Sequence, residues 1–559
     1  MKGTGKMTRN PGEKLFLLAV LAALAGLCFS IIPPGLSSSE EAVQYVQMKN
    51  FTLHSSREIL SPAFGLGVEA KDLAGRRGFF ESRSGRLYAT PPPLFPWVAS
   101  LFFPVFGERT VDFAPILFVF LSALVLGLIL DRVMKRDVLY WLLLALFLAG
   151  SPVFLQNMLF SGMALALFLI TSTLWLMVSH FGGNPSAVKL FGASILMGIS
   201  ALARPECIFV AFSFYLSSMI VLTVQKRMKD LGAVLAGCAV GACAFALHDV
   251  VLHGRFPGPY LQLFLPFHKL SPVRLAALSG AAIGSCTLLV LSRKEGIGMY
   301  RAAVLSILSV LVVFEAVLVT AARITVSHLM ALFPAVLFVF YGTSGRLERV
   351  KKGEGTLEDI LAAAVVVSLV LGASIQWPEP RVVLSVWTPM IPLVIVFLAL
   401  ERRTLFAAPG MAVVLAFFCG VAFVNGIQVS KERILQYRDY NAACIAFLER
   451  HTSAGDVVLF EDAEDVDHAG ALFFDRIFLI ARTPDDRDRL IYQIRERGVD
   501  RMFVWTNNPL GIEGFNPYGR QVHPAYPLPP GARAGDGGPY KGRSYRLVRL
   551  ETGAGQGGS

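Results

Sequence analysis

Two adjacent carboxylates, Glu40 and Glu41, follow the first long apolar stretch of the chain and open a helical-looking run from Ala42 to Asn50. A carboxylate just outside a membrane helix suits general-base chemistry. It can take the proton of an attacking hydroxyl, and a low dielectric nearby raises a carboxyl pKa towards the useful range. The same residues fit a structural role. Ser37-x-x-Glu40 and Ser38-x-x-Glu41 both have capping-box spacing, and negative charge is favourable at a helix N-terminus. The two roles are compatible. Glu40, Gln44 and Gln47 fall on one helical face and form a polar wall.

Three arginines stand out by their position. Arg204, Arg323 and Arg381 each stand at the end of an apolar span, and arginine presents a fixed fork of donors that stays charged near lipid. The plainer reading is that such arginines snorkel to the interface, and Arg204 has Glu206 two residues away as a local partner. His248 and Asp249, at the end of another span, form a pair that could bind a metal, relay a proton or simply decorate the interface. The acidic run Glu461–His468 lacks the glycine and ligand spacing of an EF-hand and reads as a solvated loop. The chain has no P-loop, dinucleotide fingerprint or HExxH motif, which argues against a nucleotide-driven pump.

The elements that carry these residues are largely apolar. Of 559 residues, 54% are hydrophobic and 16% charged, against about a quarter charged in soluble domains. The chain therefore reads as a polytopic α-helical membrane protein. The net charge of +11 comes from short basic clusters between spans, so no nucleic acid is implied. With about 20 residues per span, spans are expected near 15–32, 112–131, 138–156, 159–178, 189–203, 207–224, 231–252, 273–291, 301–321, 328–342, 357–376, 382–400 and 409–426. The seven cysteines mostly lie in or beside these spans and read as small core residues rather than a disulfide framework.

About thirteen spans with a cytoplasmic N-terminus (1–14) bring every basic cluster to the cytoplasmic side: Arg132/Lys135/Arg136, Lys226/Arg227/Lys229, Arg293/Lys294, Arg346–Lys352 and Arg402/Arg403. Residues 15–426 then form a multi-pass membrane domain with 33–111 as its first outer loop. Within that loop, apolar Leu94–Phe106 is too short to span and is expected at the interface or re-entrant. Residues 427–559 are expected to form a small outer α/β domain. Strands are expected at Asp456–Glu461, Arg476–Ala481, Arg501–Thr506 and Tyr545–Leu550, and helices at Tyr437–His451 and Asp485–Arg497. The Gly- and Pro-rich 507–544 reads as a loop and 553–559 as a frayed end.

The order of these features resembles the GT-C membrane glycosyltransferases, in particular the branch of protein O-mannosyltransferases and lipid A aminoarabinose transferases. The resemblance rests on Glu40-Glu41 in the first outer loop and on Pro92-Pro93-Leu94-Phe95-Pro96-Trp97, closing on Val105-Phe106-Gly107. It rests also on Arg323…Pro334 late in the chain and on the span count with an outer tail. The chain departs from the family pattern in having Glu40 where Asp is usual. It also has no acidic residue in Asn157–Gly162 and no basic residue before the prolines.

The resemblance implies inverting transfer of a sugar from a polyprenyl-phosphate donor to a lipid, glycan or protein acceptor at the outer face of a bacterial inner membrane. Glu40 and Glu41 would be the catalytic carboxylates, and Gln44, Arg204, Arg323, Arg381 and His248 the substrate-binding residues. No cofactor is firmly implied, and a divalent metal is left open. The competing classes are a transporter or flippase of a lipid-linked solute, for which Glu315 is the clearest mid-span acid, and a non-catalytic envelope assembly protein. The topology predicts that, in intact cells, an impermeant thiol reagent labels a cysteine introduced at Asn508. A cysteine introduced at Gly353 should be protected, and the reverse pattern overturns the orientation.

Overall fold

The computed structural model describes residues 11–31, 35–68, 80–156, 158–253, 355–373, 387–429, 436–460, 469–481, 483–506, 532–540 and 543–550, apart from short gaps within these ranges and a few single positions outside them. It divides into two compact units, each discontinuous in sequence: Met1–Ile32 with Asp112–Ser430, and Pro33–Val111 with Lys431–Ser559.

In chain order the first elements are α1 (Pro11–Ile31), α2 (Ser39–His54), the strands β1 (Phe80–Arg83) and β2 (Arg86–Ala89), α3 (Leu94–Ser100), α4 (Phe103–Phe106) and α5 (Thr110–Val133). Next come α6 (Val138–Leu148), α7 (Val153–Gln156), α8 (Met163–Phe181), α9 (Ala187–Ala203), α10 (Cys207–Val224) and α11 (Met228–His253). After these stand α12 (Thr356–Ala373), α13 (Ile391–Leu400), α14 (Arg402–Leu405), α15 (Pro409–Val429) and α16 (Gln436–His451). The chain then runs through β3 (Val457–Phe460), β4 (Ile477–Ile480), α17 (Pro484–Glu496), β5 (Met502–Thr506), β6 (Ala532–Tyr540) and β7 (Arg543–Leu550).

The first unit is helical because hydrocarbon offers no partner to a backbone amide or carbonyl, so each span must bond within itself. Among the described residues four helical stretches are long and apolar enough to cross a bilayer: Phe103–Val133, Met163–Phe181, Cys207–Val224 and Met228–His248. Shorter apolar helices stand at Leu15–Ser30, Val138–Leu148, Ala187–Ala203, Thr388–Leu400 and Ala412–Asn425. The spans expected at 273–291 and 301–321, and nearly all of 328–342, lie outside the described residues. The span expected at 138–156 is interrupted. Pro152 has no amide hydrogen to continue the ladder, and the Ser151 hydroxyl donates to Phe147 O at 2.8 Å and accepts from Val153 N at 3.3 Å.

Close helix packing in this unit depends on small residues. A Cβ on Gly198 of α9 would lie 2.7 Å from Gly241 Cα of α11, and one on Gly237 would lie 2.5 Å from Ser194 Cβ. Polar contacts tie the helix ends together. The Arg132 guanidinium donates to the Ser179 hydroxyl and sits 3.7 Å from the centre of the Trp175 ring. Ser186 N donates to His180 Nδ1 at 3.0 Å, which leaves Nε2 facing Asp230 at 3.4 Å, and Arg227 reaches Asp230 at 2.6 Å. Thr356 Oγ1 donates to Gln225 Oε1 at 2.6 Å.

The second unit is built on a five-stranded sheet in the order β4-β3-β5-β7-β6, with β3 parallel to β4 and β5, and β7 antiparallel to β5 and β6. The α/β tail read from the sequence is present, with one correction. Residues 507–544 were expected to be a loop, yet they contain β6. Its ARAGDGGPY sequence lacks the β-branched alternation that marks a strand. Gly and Pro are tolerated because β6 is an edge strand that pairs with β7 alone.

The outer loop 33–111 shares the core of the tail that begins near 427. Val46, Ile59, Ala63, Val68, Leu73 and Leu87 pack into one cluster with Leu448, Val458, Phe460, Leu479, Leu490 and Trp505. An isolated bridge pairs Leu73 with Leu479.

The helix contact predicts a sharp contrast between two glycines. Gly198→Val should destabilise the protein by about 1–3 kcal/mol through overpacking. Gly232→Ala, where an added Cβ meets nothing within 4 Å, should be neutral or stabilising by up to about 1 kcal/mol. Thermal unfolding of both purified variants in the same detergent measures the difference.

Candidate functional site

The site is built on α2. Ser38 is its N-cap, extended at φ −152° and ψ 160°. The Ser38 hydroxyl accepts from Glu41 N at 3.3 Å and donates to Glu41 Oε1 at 3.1 Å. The Ser38/Glu41 capping pair read from the sequence is therefore formed, and it leaves Glu41 only 2% exposed. The alternative pairing of Ser37 with Glu40 involves a serine outside the described residues.

Glu40, one position earlier in the first turn, is half-buried and accepts from Gln44 Nε2 at 3.0 Å. One turn further, Gln47 Nε2 donates to Pro91 O at 3.0 Å. That bond links the acidic helix to the proline segment, two features that the sequence shows only as separate motifs. At the far end of the helix, fully buried Asn50 donates to Ser56 O and Glu58 O at 2.7 and 2.9 Å and accepts from Leu60 N at 3.1 Å. It satisfies the turn that follows, where Ser55 takes the left-handed conformation.

The opposite side of α2 is fixed by charge. The buried Tyr45 hydroxyl donates to Glu108, whose other oxygen lies 3.3 Å from Lys49 Nζ. Lys49 also donates to Ala471 O at 3.4 Å and lies 3.9 Å from Asp475. Burial, reinforced by the Glu108 charge, raises the Tyr45 phenol far above its ordinary range and keeps it a donor. Upstream, Asn441 of α16 donates to Leu36 O at 2.6 Å, and the Arg438 stem lies against Gly35. Glu108, Asp475 and Asn441 were missed by sequence reading. Each stands far along the chain from its partner, and no local spacing betrays such a pair.

The segment expected at the interface divides into α3, which buries Phe95, Pro96 and Ala99, and α4, which buries no side chain. Its Trp97, Leu101 and Val105 are 51%, 62% and 78% exposed and recur at helical spacing, the pattern of an apolar face turned outward.

The remaining sequence candidates belong to the first unit or lie outside the described residues. Arg204 terminates α9, is 4% exposed, and holds fully buried Glu206 at 2.8 Å. The local ion pair anticipated from sequence is therefore present. His248 lies in the last turns of α11, while Arg323 and Arg381 are outside the described residues. Among the described residues no three His, Cys, Asp or Glu side chains group as a metal site.

No family model and no curated protein sequence matches this chain. Solved structures do. The oligosaccharyltransferase of Archaeoglobus fulgidus, solved in complex with Zn and sulfate, aligns over 87% of this chain and 67% of its own at 14% identity and TM-score 0.50. The same enzyme in its apo form gives 13% identity over 88% and 69% of the two chains, again at TM-score 0.50. ArnT of Cupriavidus metallidurans, bound to undecaprenyl phosphate, aligns over 98% of this chain and 99% of its own at 12% identity and TM-score 0.44. The likeness to the oligosaccharyltransferase shows that this chain shares its fold.

The Tyr45–Glu108 contact predicts a measurable coupling. In a double-mutant cycle, Tyr45→Phe and Glu108→Gln should be non-additive in stability by about 0.5–1.5 kcal/mol, a range limited by the exposure of Glu108. Additive effects would show that α2 is not held by this pair.

Proposed function

We propose that this multi-pass membrane protein of GT-C fold is a glycosyltransferase. It moves a sugar from a polyprenyl-phosphate-linked donor to an acceptor hydroxyl at the outer face of the membrane, with Glu40 as the base. The observation that supports this most is the division of labour within the acidic pair. Glu41 is buried in the N-cap, whereas Glu40 is half-buried, oriented by Gln44 and aligned with the polar face of α2. A catalytic carboxylate needs that combination of partial access and a fixed rotamer.

In the proposed step the acceptor oxygen attacks the anomeric carbon from the side opposite the phosphate and inverts it. The acceptor proton passes to Glu40. The bond from the anomeric carbon to the phosphate oxygen breaks, and the lipid phosphate leaves with the electron pair. Cationic help at that oxygen lowers the barrier. Arg323 is the first candidate for it and Arg381 the second, because the Arg204 guanidinium already faces Glu206. His248 is left with a binding role at most. The second unit, in this reading, handles the acceptor on the periplasmic side of a bacterial inner membrane.

Glu40→Gln keeps size and much of the hydrogen bonding while removing basicity. It should lower turnover by about 10²- to 10⁴-fold and change stability by no more than about 0.3–1 kcal/mol. Glu41→Gln should do the opposite, costing stability with turnover largely retained. Turnover and melting temperature measured on the same preparations test both variants. Near-normal turnover in Glu40→Gln removes Glu40 as the base.

A further inference from the structure

Two side-chain oxygens on α2 remain after its other hydrogen bonds are accounted for. Gln44 and Gln47 are 3% and 4% exposed. Each uses its amide nitrogen, Gln44 towards Glu40 and Gln47 towards Pro91 O. Neither carbonyl oxygen meets a hydrogen-bond donor among the described residues.

The orientation of both amides is settled by chemistry. A backbone carbonyl and an ionised carboxylate can only accept, so the NH₂ group must face each of them. The two carbonyl oxygens are therefore forced to the other side. Buried acceptors without donors are rare and costly in folded proteins, which makes two of them one turn apart a feature that calls for a partner. Together with Glu40 they form a row at helical spacing i, i+4, i+7 whose two unmatched atoms are both acceptors. A phosphate, all acceptors itself, is the wrong partner for such a row. A sugar ring, with adjacent O–H or N–H donors, is the right one.

We infer that the carbonyl oxygens of Gln44 and Gln47 form the subsite that accepts the sugar hydroxyls of the donor and sets which sugar is taken. The inference rests on the reading of α2 as the wall of a sugar-transfer site, but it can be tested by binding alone.

Full-length protein in nanodiscs is titrated with bare polyprenyl phosphate and with polyprenyl phosphates carrying a hexose, an N-acetylhexosamine, a pentose or an aminopentose. The wild type should bind at least one sugar-bearing lipid about tenfold or more tighter than the bare lipid. Gln44→Met and Gln47→Met should each reduce that preference about 3- to 10-fold, the worth of one hydrogen bond, with affinity for the bare lipid unchanged. Melting temperatures of both methionine variants close to that of the wild type separate recognition from a folding defect. The inference is overturned if the wild type prefers no sugar-bearing lipid, if the preference survives both methionine variants, or if bare-lipid affinity falls by the same factor. Sugar-dependent binding without turnover would retire the transferase reading and keep this one. Turnover and donor preference that ignore both glutamines would do the reverse.

Discussion

The first turn of α2 sets the terms for the rest of the site. Four amides at any helix N-terminus lack partners in the helix, and a carboxylate removed from water must be given donors. Ser38 and Glu41 answer both demands at once, since the serine hydroxyl takes the Glu41 amide and gives its own hydrogen to the Glu41 carboxylate. Once that exchange is fixed, helical geometry dictates the positions of the other polar groups. Glu40 comes to the partly open side, Gln44 stands one turn beyond it, and Gln47 comes within reach of Pro91.

What holds the helix in place is a mixture of packing and charge. Val46 belongs to the same apolar cluster as the sheet of the tail, so α2 is an integral layer of that unit. Lys49 and Tyr45 add direction. Both converge on Glu108, and Lys49 reaches on to Ala471 and Asp475. Burying an aromatic ring stabilises by area, but a phenol and an ammonium on one carboxylate also fix rotation about the helix axis. Rotation decides where Glu40 points.

The sequence was most legible where one local rule dominates. Apolar length located the helices that the structure describes from Pro11 to Val224, and the serine–glutamate spacing announced the cap. Strands β3, β4 and β5 were visible as short apolar runs because parallel strands are covered on both faces. Legibility failed where the evidence is non-local. β6 has the composition of a loop and is a strand only because β7 pairs with it. A change in hydropathy near 427 cannot show that Ile59 and Leu87 share a core with Leu479. No local spacing marks Glu108, and only the fold turns it towards Tyr45.

The discontinuous make-up of the second unit has a consequence for biosynthesis. Lys49 and Ala471 are 422 positions apart, and Leu36 and Asn441 are 405 apart. A ribosome adding about 5–20 residues per second takes roughly 15 to 65 s to make the intervening Asp112–Ser430. Throughout that interval the nascent loop carries Val46, Ile59 and Leu87 without the apolar surface that later covers them. The helix that carries Glu40 is thus among the first segments synthesised and among the last to be secured, and a chain truncated before α16 would keep Glu40, Gln44 and Gln47 while lacking the tail half of the core that packs against their helix.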